Sequence, residues 1–90
     1  MNEREKIKKR LKIQSWRRGM KEVDLILGRF IDHSIHSLTE CDIACYERLL
    51  LEDDQMIFSW VSDQSEAPQE FIRIINKIID VTSLHNSSNK

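Results

Sequence analysis

The residues with the clearest chemical character lie close together near the start of the chain. Arg17 and Arg18 stand on one side of Gly19, and Glu22 and Asp24 follow within five residues of it. Guanidinium groups donate paired hydrogen bonds to carboxylates or phosphates, and a glycine lets another backbone approach closely. If a helix begins here, its free N–H groups favour an anion. The pattern predicts a contact surface for another molecule, although an ordinary turn with solvated charges remains the alternative.

Histidine and cysteine pairs form a second group of chemically active residues. His33 and His36 precede Cys41 and Cys45, and all four are residue types that bind zinc. The two pairs are close in sequence, however, and thiols four residues apart on a helix are also common in protein cores. We therefore expect no metal site.

No pattern typical of an enzyme accompanies these residues. A cysteine nucleophile needs an activating histidine and an orienting partner, and the sequence carries no local signature of either. Glycine-rich phosphate loops and dinucleotide fingerprints are absent from it as well. We predict a protein that is not an enzyme, with no catalytic residues and no tightly bound cofactor.

Charge is distributed unevenly along the chain. Residues 1–21 carry nine basic and two acidic groups, a net charge of +7, whereas the remainder has a net charge of −8. This asymmetry predicts a basic N-terminal segment beside an acidic body. The lysines between Lys6 and Lys12 suit RNA phosphates, but Trp16 is the one aromatic residue of that segment, so a stacking platform is lacking. We expect no nucleic-acid partner, and RNA binding remains a rival function.

Length and composition limit the class of protein. The chain has 90 residues, is 40% hydrophobic and 32% charged, and contains two glycines and one proline. Such a chain forms one small domain rich in helix rather than a many-stranded sheet. Two cysteines are too few to staple a secreted fold, and no apolar run approaches a membrane span or a signal peptide. We expect a cytoplasmic monomer with no membrane partner.

Helical periodicity predicts five short helices packed as a compact, all-α, single-domain bundle. Thr39 and Asp42 have the spacing of a capping box, Asp53 is a candidate N-cap, and Pro68 suits the first turn of the last helix. The predicted helices cover about 3–16, 20–34, 40–51, 54–61 and the segment that begins at residue 68. We expect the bundle to occupy residues 1–82 and a flexible polar tail to occupy 83–90.

Several of these residues together resemble a known family. The stretch from Arg17 to Asp24 reads R-R-G-x-x-E-x-D, and Tyr46-Glu47-Arg48-Leu49-Leu50, Asp54, Trp60 and Pro68 follow in the family's order. This pattern is similar to that of the small bacterial and mitochondrial assembly factors that promote covalent FAD attachment to the flavoprotein subunit of succinate dehydrogenase. The resemblance covers about residues 5–80.

The resemblance implies a five-helix fold and a chaperone-like role. By analogy with the family, the partner would be the flavoprotein subunit of succinate dehydrogenase, with the fumarate reductase flavoprotein as a second client. FAD would be attached to the client rather than held by this chain. Arg17, Arg18, Gly19 and Glu22 would line the contact, and Asp24 would lie close by. A regulatory or antitoxin-like protein-binding module and an RNA-binding helical protein are the alternatives.

Overall fold

The computed structural model of the chain describes residues 2–63 and 66–87, with side chains through residue 82. Within these residues it has no strand and five helices, which are α1 (Glu3–Trp16), α2 (Lys21–Ser34), α3 (Glu40–Leu49), α4 (Asp54–Ser62) and α5 (Gln69–Ser87). The predicted all-α bundle of five helices is confirmed. The bounds of α1 to α4 lie within two residues of the predicted ones. Apolar periodicity marks α2 to α4, whereas α1 has only a thin apolar line and ends shortly before Gly19.

A capping signal explains where α3 begins, and the one expected for α4 is only partly present. The capping box is present: the Asp42 N–H donates to Thr39 Oγ1 at 3.1 Å, and the Thr39 N–H donates to Asp42 Oδ2 at 3.2 Å. Asp53 occupies the N-cap position of α4, but its side chain makes no capping hydrogen bond there. Asp42 is also buried against α5, where Arg73 and Lys77 lie 3.7 and 3.8 Å from its carboxylate oxygens. One carboxylate therefore caps α3 and joins it to α5.

The core is formed where α5 packs against α2, α3 and α4. Its buried members within the helices lie at helical spacing and include Val23, Leu27, Phe30, Ile31, Ile43, Tyr46, Ile57, Trp60, Phe71, Ile74, Ile75 and Ile78. Three further core residues lie between helices, where apolar periodicity gives no prediction: Ile35, Leu38 and Ala67. Phe30 and Tyr46 are in ring contact at 5.5 Å, and Trp60 and Phe71 are in contact at 5.7 Å. Burial of these side chains supplies the main favourable free energy of folding.

Helix α1 is more firmly docked than its charged sequence suggests. Its apolar line predicts partial burial, which Ile7 shows, but Leu11 and Ser15 are fully buried. The Ser15 hydroxyl donates to the Leu11 carbonyl at 2.7 Å and lies 2.6 Å from the Tyr46 hydroxyl. The hydrogen bond between the Ser15 and Tyr46 hydroxyls ties α1 to α3. The start of the chain is therefore part of the bundle and not a separate arm.

The C-terminal helix continues past the predicted end of the bundle. The backbone of α5 is helical to Ser87, and residues 88–90 lie outside the described part of the chain. The division into a bundle over 1–82 and a flexible tail over 83–90 stays a prediction. No helix among the described residues combines the length and hydropathy needed to cross a bilayer.

Candidate functional site

The charged motif lies at the joint between α1 and α2, formed by residues 17–20. Arg17 ends α1 with φ −128° and ψ 57°, and Met20 stands at the N-cap of α2. Between them Gly19 has φ +100°, which side chains strongly disfavour. A Cβ atom built on Gly19 would have no neighbour within 4 Å. The backbone turn itself therefore favours glycine, and the missing side chain leaves open space above the joint.

Arg18 turns inward at this joint and binds the turn between α3 and α4. Its Nε donates to Asp54 Oδ1 at 2.8 Å, and its two terminal nitrogens donate to the carbonyls of Leu50 and Glu52 at 2.5 and 2.8 Å. The Arg18 side chain is only 13% exposed. All these partners are internal, so in this structure Arg18 positions neighbouring elements and does not present a free guanidinium.

Asp24 also has an internal partner. Its Oδ1 accepts the backbone N–H of Arg18 at 2.6 Å, which closes the joint back onto the first turn of α2. A carboxylate at this position also stabilises the positive end of the helix dipole. Asp24 is half-buried, in keeping with a residue that fixes the shape of the joint.

The other three motif residues face outward. Arg17, Gly19 and Glu22 are exposed, and among the described residues Arg17 and Glu22 make no ion pair with the protein. Among the residues that the structure describes, the joint and the first turn of α2 thus present three exposed charges without an ion pair, Arg17, Lys21 and Glu22, beside an open glycine. Contact of these residues with a partner stays a prediction. The geometry divides the motif into three residues that face outward and two, Arg18 and Asp24, that hold the joint in shape.

The turn held by Arg18 contains a feature that the periodicity of the sequence misses. The sequence predicts α3 to continue to about Leu51, but the helix ends at Leu49. Leu51 then lies in the turn with 84% of its surface exposed, whereas Leu49 and Leu50 are buried. One face of a helix cannot bury three consecutive leucines. The run from Leu49 to Leu51 therefore contained a signal that one of the three is exposed or lies outside the helix.

The histidine and cysteine residues have separate surroundings. His33 Nδ1 lies 3.3 Å from Ser34 Oγ, and His36 Nδ1 lies 3.3 Å from Lys8 Nζ. Cys45 donates its thiol to the Glu70 carbonyl at 3.3 Å, while Cys41 is exposed. Within the described part of the chain no three potential ligands from histidine, cysteine, aspartate or glutamate gather at one point. The arrangement offers no recognisable zinc site there.

Burial changes the protonation chemistry of two residues. Desolvation raises the pKa of the Tyr46 hydroxyl far above its ordinary value, although the Ser15 hydrogen bond and the charge of Arg18 act in the opposite direction. Desolvation also raises the pKa of the Cys45 thiol, against the lowering effect of Arg48. A raised pKa disfavours the thiolate, which is the nucleophilic form of a cysteine.

Comparison with known proteins supplies the family. The model of the Sdh5 family, described as flavinator of succinate dehydrogenase, matches residues 9–82. The chain belongs to this family. The family membership predicted from the Arg17–Asp24 motif and its accompanying residues is confirmed.

Named relatives agree with this assignment. Succinate dehydrogenase assembly factor 2, mitochondrial, of Dictyostelium discoideum is 42% identical over 79 residues, which cover 88% of this chain and 56% of that protein. FAD assembly factor SdhE of Legionella pneumophila (strain Lens) is 36% identical over 62 residues, which cover 69% of this chain and 78% of that protein. The chain therefore spans little more than half the length of the Dictyostelium relative. Both names describe assembly factors rather than catalysts, in agreement with the predicted non-enzymatic role. No solved structure gives a significant match.

Proposed function

We propose that this chain is a non-enzymatic assembly factor that binds the flavoprotein subunit of succinate dehydrogenase and promotes covalent attachment of FAD to it. Membership of the flavinator family and the names of the relatives support the proposal. The docking site is proposed from the geometry of the joint. Arg17 and Gly19 are exposed on a turn that Arg18 and Asp24 hold in shape, and Glu22 is exposed in the first turn of α2. A rigid, charged and open surface of this kind suits recognition of another protein.

The mechanism is selection of one client conformation. A binding protein shifts a conformational equilibrium only when it binds one state more tightly than the other. Arg17 pairs with an anionic group of the client, Glu22 pairs with a basic group, and the open space at Gly19 admits the client backbone. Arg18 and Asp24 hold the joint in the shape that lets these three residues face outward. FAD remains on the client throughout.

The same proposal covers the finer points of partner and location. We expect the fumarate reductase flavoprotein to be a second client, as the family resemblance implies. We also expect the factor to act as a cytoplasmic monomer without nucleic acid, membrane or metal. A charged, solvated contact surface favours transient binding over a permanent complex.

Complementation tests the proposal. Covalent flavin on the succinate dehydrogenase flavoprotein is measured in cells that lack this protein and then express wild type, Glu22→Ala or Gly19→Arg. We expect wild type to restore covalent flavin and both variants to lose most of it, because they remove the anion of the joint or fill its open space.

A matched control separates steric block from backbone strain. Any side chain at Gly19 is strained by the positive φ angle, at a cost of about 1–2 kcal/mol. Gly19→Ala carries this strain without the long side chain, so it should retain most client binding at a temperature where it is folded. If Gly19→Arg supports normal flavinylation, the joint is not the docking face. If wild type fails to restore covalent flavin, the proposed function is wrong.

Two rival functions make different predictions. A regulatory or antitoxin-like module would recover another protein, and no flavoprotein, in a pull-down from cells. An RNA-binding protein would bind RNA tightly at low salt and lose that binding when Lys8 and Lys9 are both changed to glutamine.

A further inference from the structure

A groove runs beside the joint, between α1, α3 and the α3–α4 turn. It encloses about 680 Å³, and its lining includes Arg10, Gln14, Arg17, Glu47, Arg48 and Leu51. The groove adjoins the proposed docking face because Arg17 belongs to both. This α1–α3 groove shares Arg17 and Arg18 with the charged motif, and the proposed function does not use the rest of its lining.

The charges of the groove favour an acidic occupant. Arg18 and three other arginines line it, against the single carboxylate of Glu47. Arg10 forms an ion pair with Glu47, and Arg18 is occupied by the turn. Arg17 has no ion pair with the described residues, and Arg48 has only a 3.8 Å contact with Glu70 in which both side chains are more than half exposed. Such a contact is weak, so Arg17 and Arg48 are available to carboxylates from outside.

Leu51 adds an apolar contact point to this basic groove. It is the most exposed large hydrophobic residue of the described chain, at 84%. A single exposed leucine is ordinary on a protein surface, but this one is held in place. Arg18 binds the carbonyls of the residues on either side of it, Leu50 and Glu52. The side chain is therefore presented on a fixed backbone, which lowers the entropic cost of binding against it.

We infer that the α1–α3 groove receives an acidic segment of the client flavoprotein, with carboxylates on Arg17 and Arg48 and an apolar side chain on Leu51. The inference rests on the proposed function and extends its docking face from the joint into the groove. Arg18 acts as a positioning residue for this surface, since its bonds fix the turn that carries Leu51. The partner chemistry is thus a segment that mixes acidic and apolar residues.

Binding of the purified chain to the purified flavoprotein subunit, before covalent FAD attachment, tests the inference by calorimetry. We expect Leu51→Asp and Arg48→Glu each to raise Kd by about tenfold or more, the size of effect seen for well-placed interface residues. Arg29→Glu and Ile72→Asp are matched controls, because both residues are exposed and neither lines the groove. They should leave Kd within about twofold of wild type. Melting temperatures identify any variant that is not folded.

Each other result overturns the inference in a recognisable way. If Leu51→Asp and Arg48→Glu bind like wild type while Gly19→Arg does not bind, the groove is not used but the proposed function stands. If wild type does not bind the flavoprotein, both fail. If sedimentation shows a dimer that Leu51→Asp dissociates without changing client affinity, the groove is a self-association face. If the groove variants lose affinity for a 20-nucleotide RNA and keep it for the client, the groove is a nucleic-acid site.

Discussion

The indole of Trp16 lies flat on the backbone of α2 at Gly28. A Cβ atom at residue 28 would fall 2.3–2.6 Å from three ring carbons, so only glycine permits this approach. The Trp16 Nε1–H also donates to Asp32 Oδ2 at 3.2 Å. Because Trp16 directly precedes Arg17, this contact fixes the direction in which the chain enters the joint. The sequence does not reveal the pair, since a glycine within a helical pattern gives no periodic signal and Trp16 could belong to the apolar line of α1.

The effect of Gly28→Ala should change sign with the residue at position 16. In wild type it should destabilise the fold by about 1–3 kcal/mol, because the indole must move off α2. In a Trp16→Ala background the clash is gone, and alanine should stabilise the helix by about 0.5–1 kcal/mol relative to glycine. Urea denaturation of the four proteins of this double-mutant cycle measures the difference. Equal effects in both backgrounds would mean that the two residues are not in contact.

At the scale of elements, Arg18 links the joint between α1 and α2 to the turn between α3 and α4. It belongs to the joint between α1 and α2, and all its side-chain bonds go to the segment from Leu50 to Asp54 between α3 and α4. Two of its acceptors are backbone carbonyls, that of Leu50 at the end of α3 and that of Glu52 in the α3–α4 turn, and carbonyls at a helix end need such partners. Removal of this guanidinium would leave both carbonyls and Asp54 without their donor.

Arg17 and Arg18 provide a matched pair for testing this assignment in the isolated chain. Arg18→Ala should lower the free energy of unfolding by about 2–4 kcal/mol, because it strands partly buried polar groups. Arg17→Ala should change it by less than about 0.5 kcal/mol, because that side chain is exposed. Urea unfolding followed by circular dichroism measures both values. Similar losses for the two variants would contradict the division of the motif into outward and supporting residues.

The sequence predicts elements well and pairings between elements poorly. Periodicity locates α1 to α4, and the spacing of Thr39 and Asp42 identifies the capping box, because these signals are local. The inward turn of Arg18 depends on residues 32 to 36 positions away. The buried bond between Ser15 and Tyr46 spans 31 positions. No rule of sequence spacing connects residues so far apart. Arg17 and Arg18 therefore look equivalent in the sequence, although one is exposed and the other turns inward in the fold.

For the whole molecule, the uneven charge becomes a spatial asymmetry. Helix α1 carries six of the fourteen lysines and arginines, and it forms the ion pairs Arg10–Glu47 and Lys12–Asp32 with the rest of the bundle. These pairs neutralise only part of the N-terminal excess, because residues 1–21 carry a net charge of +7. A compact molecule with a radius of gyration of 12.6 Å therefore presents one basic side. Such a field orients an acidic partner before contact.

Association with the flavoprotein should be sensitive to salt in its rate of formation. Between about 0.1 and 1 M salt the screening length falls from about 10 to 3 Å. We expect the association rate constant to fall by about tenfold and the dissociation rate constant to change by less than about twofold. Stopped-flow measurements give both. A variant with Lys6→Gln and Lys9→Gln should show a weaker salt dependence, whereas a rate unaffected by salt would exclude steering by α1.

The way Arg18 holds the α3–α4 turn has a practical consequence for redesign. Two of its three side-chain bonds end on main-chain oxygens, and a main-chain oxygen is present whatever amino acid occupies the position. Positions 51 and 53 are therefore candidates for a library, with proline left out at 51 because the Leu51 N–H donates to the Arg48 carbonyl. Selection from such a library offers a direct way to retarget the factor toward other flavoenzymes without rebuilding its scaffold.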